Sequence, residues 1–89
     1  MKERYLAVTF RKGKPLAAYL YLPRAAGAKS VRTESIVAGL LVDYGTDGEP
    51  IGFEITAPEK ITVAQINAVL EKLSLPGISP QELAPLHAA

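Results

Sequence analysis

The apolar residues of this chain change their spacing once, near Pro58. Before it they alternate with other residues, as strands with one buried face require. After it they recur at spacings of three and four, as an amphipathic helix requires. Strands gathered first and a helix afterwards exclude the strand–helix alternation of a parallel α/β fold. The reading is α+β: an antiparallel β-sheet of about five strands in hairpin or meander order, then a C-terminal amphipathic helix packed on one face. One domain spans residues 1–89, with a β-sheet region over 1–57, a helix over 61–75, and a short helical turn and tail over 79–89.

The strands are read from alternation. In "RYLAVTFR", Leu6, Val8 and Phe10 share a face. "KGKP" is a turn, with Gly13 free to take a positive φ. "LAAYLYL" alternates again, so the two runs form a hairpin with Leu20 on one side and Ala17, Tyr19 and Tyr21 on the other. "PRAAGAK" reads as a flexible basic loop. "SVRTES" is polar enough for a sheet edge, and "VAGLLVDY" and "PIGFEIT" complete the set. In "ITVAQINAVLEKL", Val63, Ile66, Leu70 and Leu73 lie on one helical face, and Thr62 with Gln65 forms a capping box. Ser79, Pro80 and Glu82 repeat the start signal in miniature. The tail "LHAA" is expected to fray.

The 89 residues are 48% hydrophobic, which is room for one thin core. No cysteine is present, so disulfides, thiolate metal sites and a Cys nucleophile are excluded. "IVAGLLV" is too short to span a membrane, and "MKERYLAVTF" lacks the apolar run of a secretion signal. The expectation is a soluble cytoplasmic protein without cofactor. Net charge is +1, but residues 1–33 carry eight Lys/Arg against one acid, and residues 34–89 carry two Lys against eight acids. Within one small domain, the default reading is that these halves lie together and pair.

"DYGTDGEPIGFE", Asp43–Glu54, has the length of a calcium-binding loop and begins and ends with carboxylates. Gly45 stands where an oxygen ligand is needed, Pro50 has no N–H to donate, and strand-like runs flank the segment where helices belong. It reads instead as a β-hairpin turning at Asp47-Gly48. Gly45 and Gly48 are expected to supply positive φ. If Val42 faces Phe53, then Leu40 faces Ile55 and Tyr44 faces Ile51. Leu41 and Asp43 then face Glu54 and Gly52 on the other side, leaving Asp43 and Glu54 as diagonal neighbours. Such a carboxylate pair could act as acid and base or hold a metal, but Arg or Lys partners on adjoining strands are the ordinary explanation.

The same segment, "GLLVDYGTDGEPIGFEI", resembles the bacterial domain-of-unknown-function 2283 family. Asp43, Asp47, Gly48, Gly52, Glu54 and Ile55 match its pattern in order, "AAYLYL" and "SVRTES" match its preceding strands, and the resemblance covers about residues 10–57. "RKGKP" departs from it, because family members carry Asp in that turn. The resemblance implies a small β-rich domain, with no established activity and no catalytic residue to carry over.

Three functions compete. The face bearing Tyr5, Ala7, Ala17, Tyr19, Tyr21 and Leu41 is too apolar to leave wholly in water, which favours a self-associating structural or regulatory interaction domain, a dimer above all. Nucleic-acid binding through that Tyr-bearing face is the alternative. The two C-terminal elements are spaced like a helix-turn-helix, but the second carries Glu82 and no cation to meet phosphate. Catalysis is the least favoured: His87 sits in the tail, there is no phosphate loop or nucleophile elbow, and only Asp43 and Glu54 could serve.

Overall fold

The structure, a computed structural model, describes residues 4–23 and 27–87. The strands are β1 (Tyr5–Arg11), β2 (Lys14–Tyr21), β3 (Arg32–Val37), β4 (Leu40–Tyr44) and β5 (Pro50–Ile55). They form one antiparallel sheet in the order β1-β2-β5-β4-β3. Adjacent strands pair as hairpins within β1–β2 and within β3–β4–β5. The join between these groups is not sequential: β5, not β3, lies beside β2. The polar strand β3 takes one edge, as its composition required. The loop expected at Pro23–Lys29 lies partly outside the described residues.

β3 and β4 meet in a turn that alternation does not announce. Val37 pairs with Leu40, so Ala38 and Gly39 alone make the link, with Gly39 at φ 90. Ile36, Val37 and Ala38 continue the apolar run of the next strand, which hides the turn. In the β4–β5 hairpin the expected pairs Val42↔Phe53, Leu40↔Ile55, Asp43↔Gly52 and Leu41↔Glu54 all form. Tyr44 pairs with Pro50 rather than Ile51, because the register shifts between Asp43 and Tyr44. Gly48 has φ 83 and donates its N–H to the Gly45 carbonyl. Gly45 does not take the expected positive φ. Its missing side chain serves packing instead, since a Cβ there would lie 2.2 Å from the Glu49 carboxylate.

The helix α1 spans Val63–Lys72. Its capping box is complete: the Gln65 N–H donates to Thr62 Oγ1 at 3.1 Å, and the Thr62 N–H donates to Gln65 Oε1 at 2.8 Å. Ile66, Val69 and Leu70 of α1 belong to the same buried cluster as Leu20, Leu40, Val42, Phe53 and Ile55 of the sheet. Val63 and Leu73 pack against its margin. Each of the fully buried Leu, Ile and Phe side chains contributes about 1.5–3 kcal/mol by leaving water.

Leu86 corrects the expectation of a frayed tail. It is 1% exposed, and Ile78 and Leu83 join it in the core. Three apolar residues there outweigh the end effects that loosen a polar terminus. Asn67 fixes the approach, accepting the Ile78 N–H at 2.7 Å and donating to the Ile78 carbonyl at 3.1 Å. Ser79 and Glu82 exchange the reciprocal hydrogen bonds that their spacing predicts. Only a 3-10 turn, Ala84–His87, follows, so the spacing that resembles a helix-turn-helix yields no second α-helix.

Arg4 ties the start of the chain to this segment. It donates to the carbonyls of Pro76 and Gly77 and pairs with Glu82 at 3.3 Å. Arg32 pairs with Glu34 and stacks 4.0 Å over the Tyr44 ring. Among the described residues these are the ion pairs, so the basic and acidic parts of the chain meet at two points rather than along the sheet.

Candidate functional site

The strand order brings Thr33, Asp43, Gly52, Glu54, Tyr19 and Tyr21 onto the sheet side that faces away from Val42 and Phe53. Cross-strand pairing sets this directly: Thr33↔Asp43, Asp43↔Gly52, Gly52↔Tyr21 and Glu54↔Tyr19 are neighbours in the ladder. At the centre lies Asp43, only 6% exposed. A buried carboxylate needs donors. Tyr19 O–H donates to its Oδ2 at 2.8 Å, and Thr33 O–H donates to its Oδ1 at 2.6 Å.

Gly52 makes the first of these bonds possible. A Cβ at that position would lie 2.2 Å from the Tyr19 hydroxyl and 2.3 Å from the ring. The ring of Tyr19 therefore lies flat across the Gly52 backbone and reaches from β2, over β5, to β4. Sequence patterning places all three residues on this face, but it does not show that the glycine is a cradle for the ring.

Glu54 completes the group. Its hydrogen bond with Asp43 raises its pKa above the ordinary carboxylate range, and partial burial and the Asp43 charge push the same way. The two carboxylates are thus the diagonal neighbours that the register predicts. Among the described residues the Arg or Lys partners expected for Asp43 do not reach it, and two hydroxyls hold it instead.

Around this group runs an aromatic row. Tyr5 and Tyr21 stack with ring centroids 4.6 Å apart, and Tyr19 meets Tyr21 edge-on at 4.6 Å. Tyr5 is 52% exposed, and Tyr19, Tyr21, Ala17 and Leu41 are half-buried. Every predicted interface candidate, Tyr5, Tyr19, Tyr21 and Leu41, lies on this face.

Chemically the group can exchange a proton and present ordered rings. Among the described residues no cluster of three or more His, Asp or Glu could hold a metal ion. The concavities at the β1–β2 turn and between β3 and α1 include neither Asp43 nor Glu54. Asp47 and Gly48 lie in the β4–β5 turn, away from this group, in the structural role read for them. Compared with family models, with curated proteins and with solved structures, the chain matches none.

Proposed function

We propose that the tyrosine-bearing face is a self-association surface, and that the protein is a small interaction domain working as a homodimer. The observation that carries this reading is the fixed ring row Tyr5–Tyr21–Tyr19, anchored through Tyr19 to buried Asp43. Tyrosine presents a large apolar ring with a polar tip, and it is enriched where one protein meets another. Rings held in place before contact lose little rotamer freedom on association, which favours binding. The Asp43–Glu54 group then acts as the support of the surface.

A stacking platform for nucleic acid fits less well. Such a platform combines rings with cations. Here the rings border two carboxylates, Arg4 is engaged with Pro76, Gly77 and Glu82, and Arg32 lies over Tyr44. The resemblance to domain-of-unknown-function 2283 forms part of the proposal and rests on the residue pattern Asp43, Asp47, Gly48, Gly52, Glu54 and Ile55. Dilution followed by NMR tests the reading. Ring signals of Tyr5, Tyr19 and Tyr21 should shift together with concentration, and shifts that spare them would overturn it.

A further inference from the structure

The β1–β2 hairpin outruns the sheet. β2 pairs with β5 only over Ala18–Tyr21, while β1 and β2 go on pairing through Thr9↔Ala17, Phe10↔Pro15 and Arg11↔Lys14. The ribbon therefore extends about 13 Å past the end of its pairing with β5, at 3.3 Å per residue. Phe10, which alternation places on one face with Leu6 and Val8, is 48% exposed there, and Leu16 is 51% exposed. Both lie beyond the point at which β2 stops pairing with β5.

This projecting end is cationic. Residues 9–17 carry Arg11, Lys12 and Lys14 and no acid. Among the described residues no carboxylate pairs with any of the three. They line a 290 Å³ concavity with Pro15 and Leu16. The turn itself has positive φ at both central residues, Lys12 at 53 and Gly13 at 78, the pattern of a type I′ turn. Asn is the residue that accepts the first of these positions most readily, and Lys is strained there. A cation is held at the apex although the backbone favours another residue.

We propose that this hairpin is a contact site for double-stranded nucleic acid, inserted as a two-stranded ribbon into the major groove. A groove about 12 Å wide admits such a ribbon. Arg11, Lys12 and Lys14 meet phosphates, and Phe10 and Leu16 supply apolar contact to sugar or thymine methyl groups. Residues 34–89, with eight acids against two Lys, repel phosphate and orient the approach tip-first. The site is separate from the tyrosine face, so each can fail alone.

The test is fluorescence anisotropy with the full chain and a short mixed-sequence duplex across a salt series. Three phosphate contacts give a log–log salt slope of about −2.7, or a roughly 40-fold loss of affinity between about 50 and 200 mM salt. A dimer that sets both hairpins on one duplex doubles the slope. Lys12→Asn suits the turn and leaves the fold intact, so its expected effect is a slope smaller by about 0.9 per hairpin. Arg11→Gln with Lys12→Asn and Lys14→Gln should abolish binding. Absence of binding by the wild type, or binding that the triple variant retains, overturns the proposal. Equal affinity for the single strand overturns the groove assignment. Preference for anionic lipid vesicles, or a triple variant that alters self-association while leaving the duplex complex unchanged, assigns the hairpin to another partner and overturns it as well.

Discussion

The β1–β2 and β4–β5 hairpins turn through the same device, a Gly at positive φ: Gly13 at 78 and Gly48 at 83. Their surroundings are opposite. β5 lies between β2 and β4, and Phe53 and Val42 beside it are fully buried. β1 is an edge strand, and among the described residues the tip of its hairpin is paired with no further strand. One turn carries Asp47 and Glu49, the other Lys12 and Lys14. Local sequence makes a hairpin in both cases, and the flanking strand decides whether its apolar residues become core or surface. The buried hairpin holds the fold together, and the projecting one is free for contact.

Four experiments should break or sharpen this contrast. Phe53→Ala should cost about 3–5 kcal/mol in chemical denaturation, whereas Phe10→Ala, already half in water, should cost under about 1 kcal/mol. Equal costs would mean that the first hairpin is packed after all. Gly52→Val should displace the Tyr19 ring and strip a donor from buried Asp43, costing about 1–3 kcal/mol. The loss of tyrosine-ring circular dichroism should accompany the drop in melting temperature, and a normal aromatic spectrum would refute the cradle.

Gly48→Ala should cost about 1 kcal/mol, because an L side chain resists that φ. Gly13→Ala meets the same resistance but should lower global stability less, since a projecting tip can open locally without the core. Hydrogen exchange would show the difference as faster exchange at Arg11–Lys14 alone. The smallest effect concerns pH. A carboxyl with a raised folded pKa favours the folded state at acid pH, and that benefit fades as pH rises through the raised value. Glu54→Gln should therefore flatten a decline of stability from acid toward neutral pH. Glu82 has the opposite sign: hydrogen bonds from Ser79 and Arg4 lower its pKa, so its contribution is lost on acidification. A Glu54→Gln variant with the wild-type pH profile would show that the Asp43 contact does not matter.

Much of the fold was legible because alternation and helical period report burial directly. The β4–β5 register as far as Asp43↔Gly52, the Thr62 cap and the polar edge strand all follow from residue order. What was not legible depends on long-range neighbours. Nothing near Phe10 indicates that β5 ends its pairing at Ala18, and nothing near Leu86 indicates that Asn67 and Arg4 draw the C-terminal segment onto the core. At the candidate site, side-chain alternation placed Asp43, Glu54 and Tyr19 on one face. It assigned Asp43 cationic partners because the first third of the chain is basic, but the Tyr19 and Thr33 hydroxyls reach it instead.

The proposed self-association of the tyrosine face is tested most directly by the solution mass of the wild type beside a Tyr5→Lys/Tyr21→Lys variant in sedimentation equilibrium at micromolar concentrations. These two rings stack on each other, and Tyr19, which anchors to Asp43, is left in place. The account predicts twice the 9.5 kDa chain mass for the wild type and a single chain mass for the folded variant. A wild type that sediments as a monomer, or a variant that stays a dimer, would contradict it.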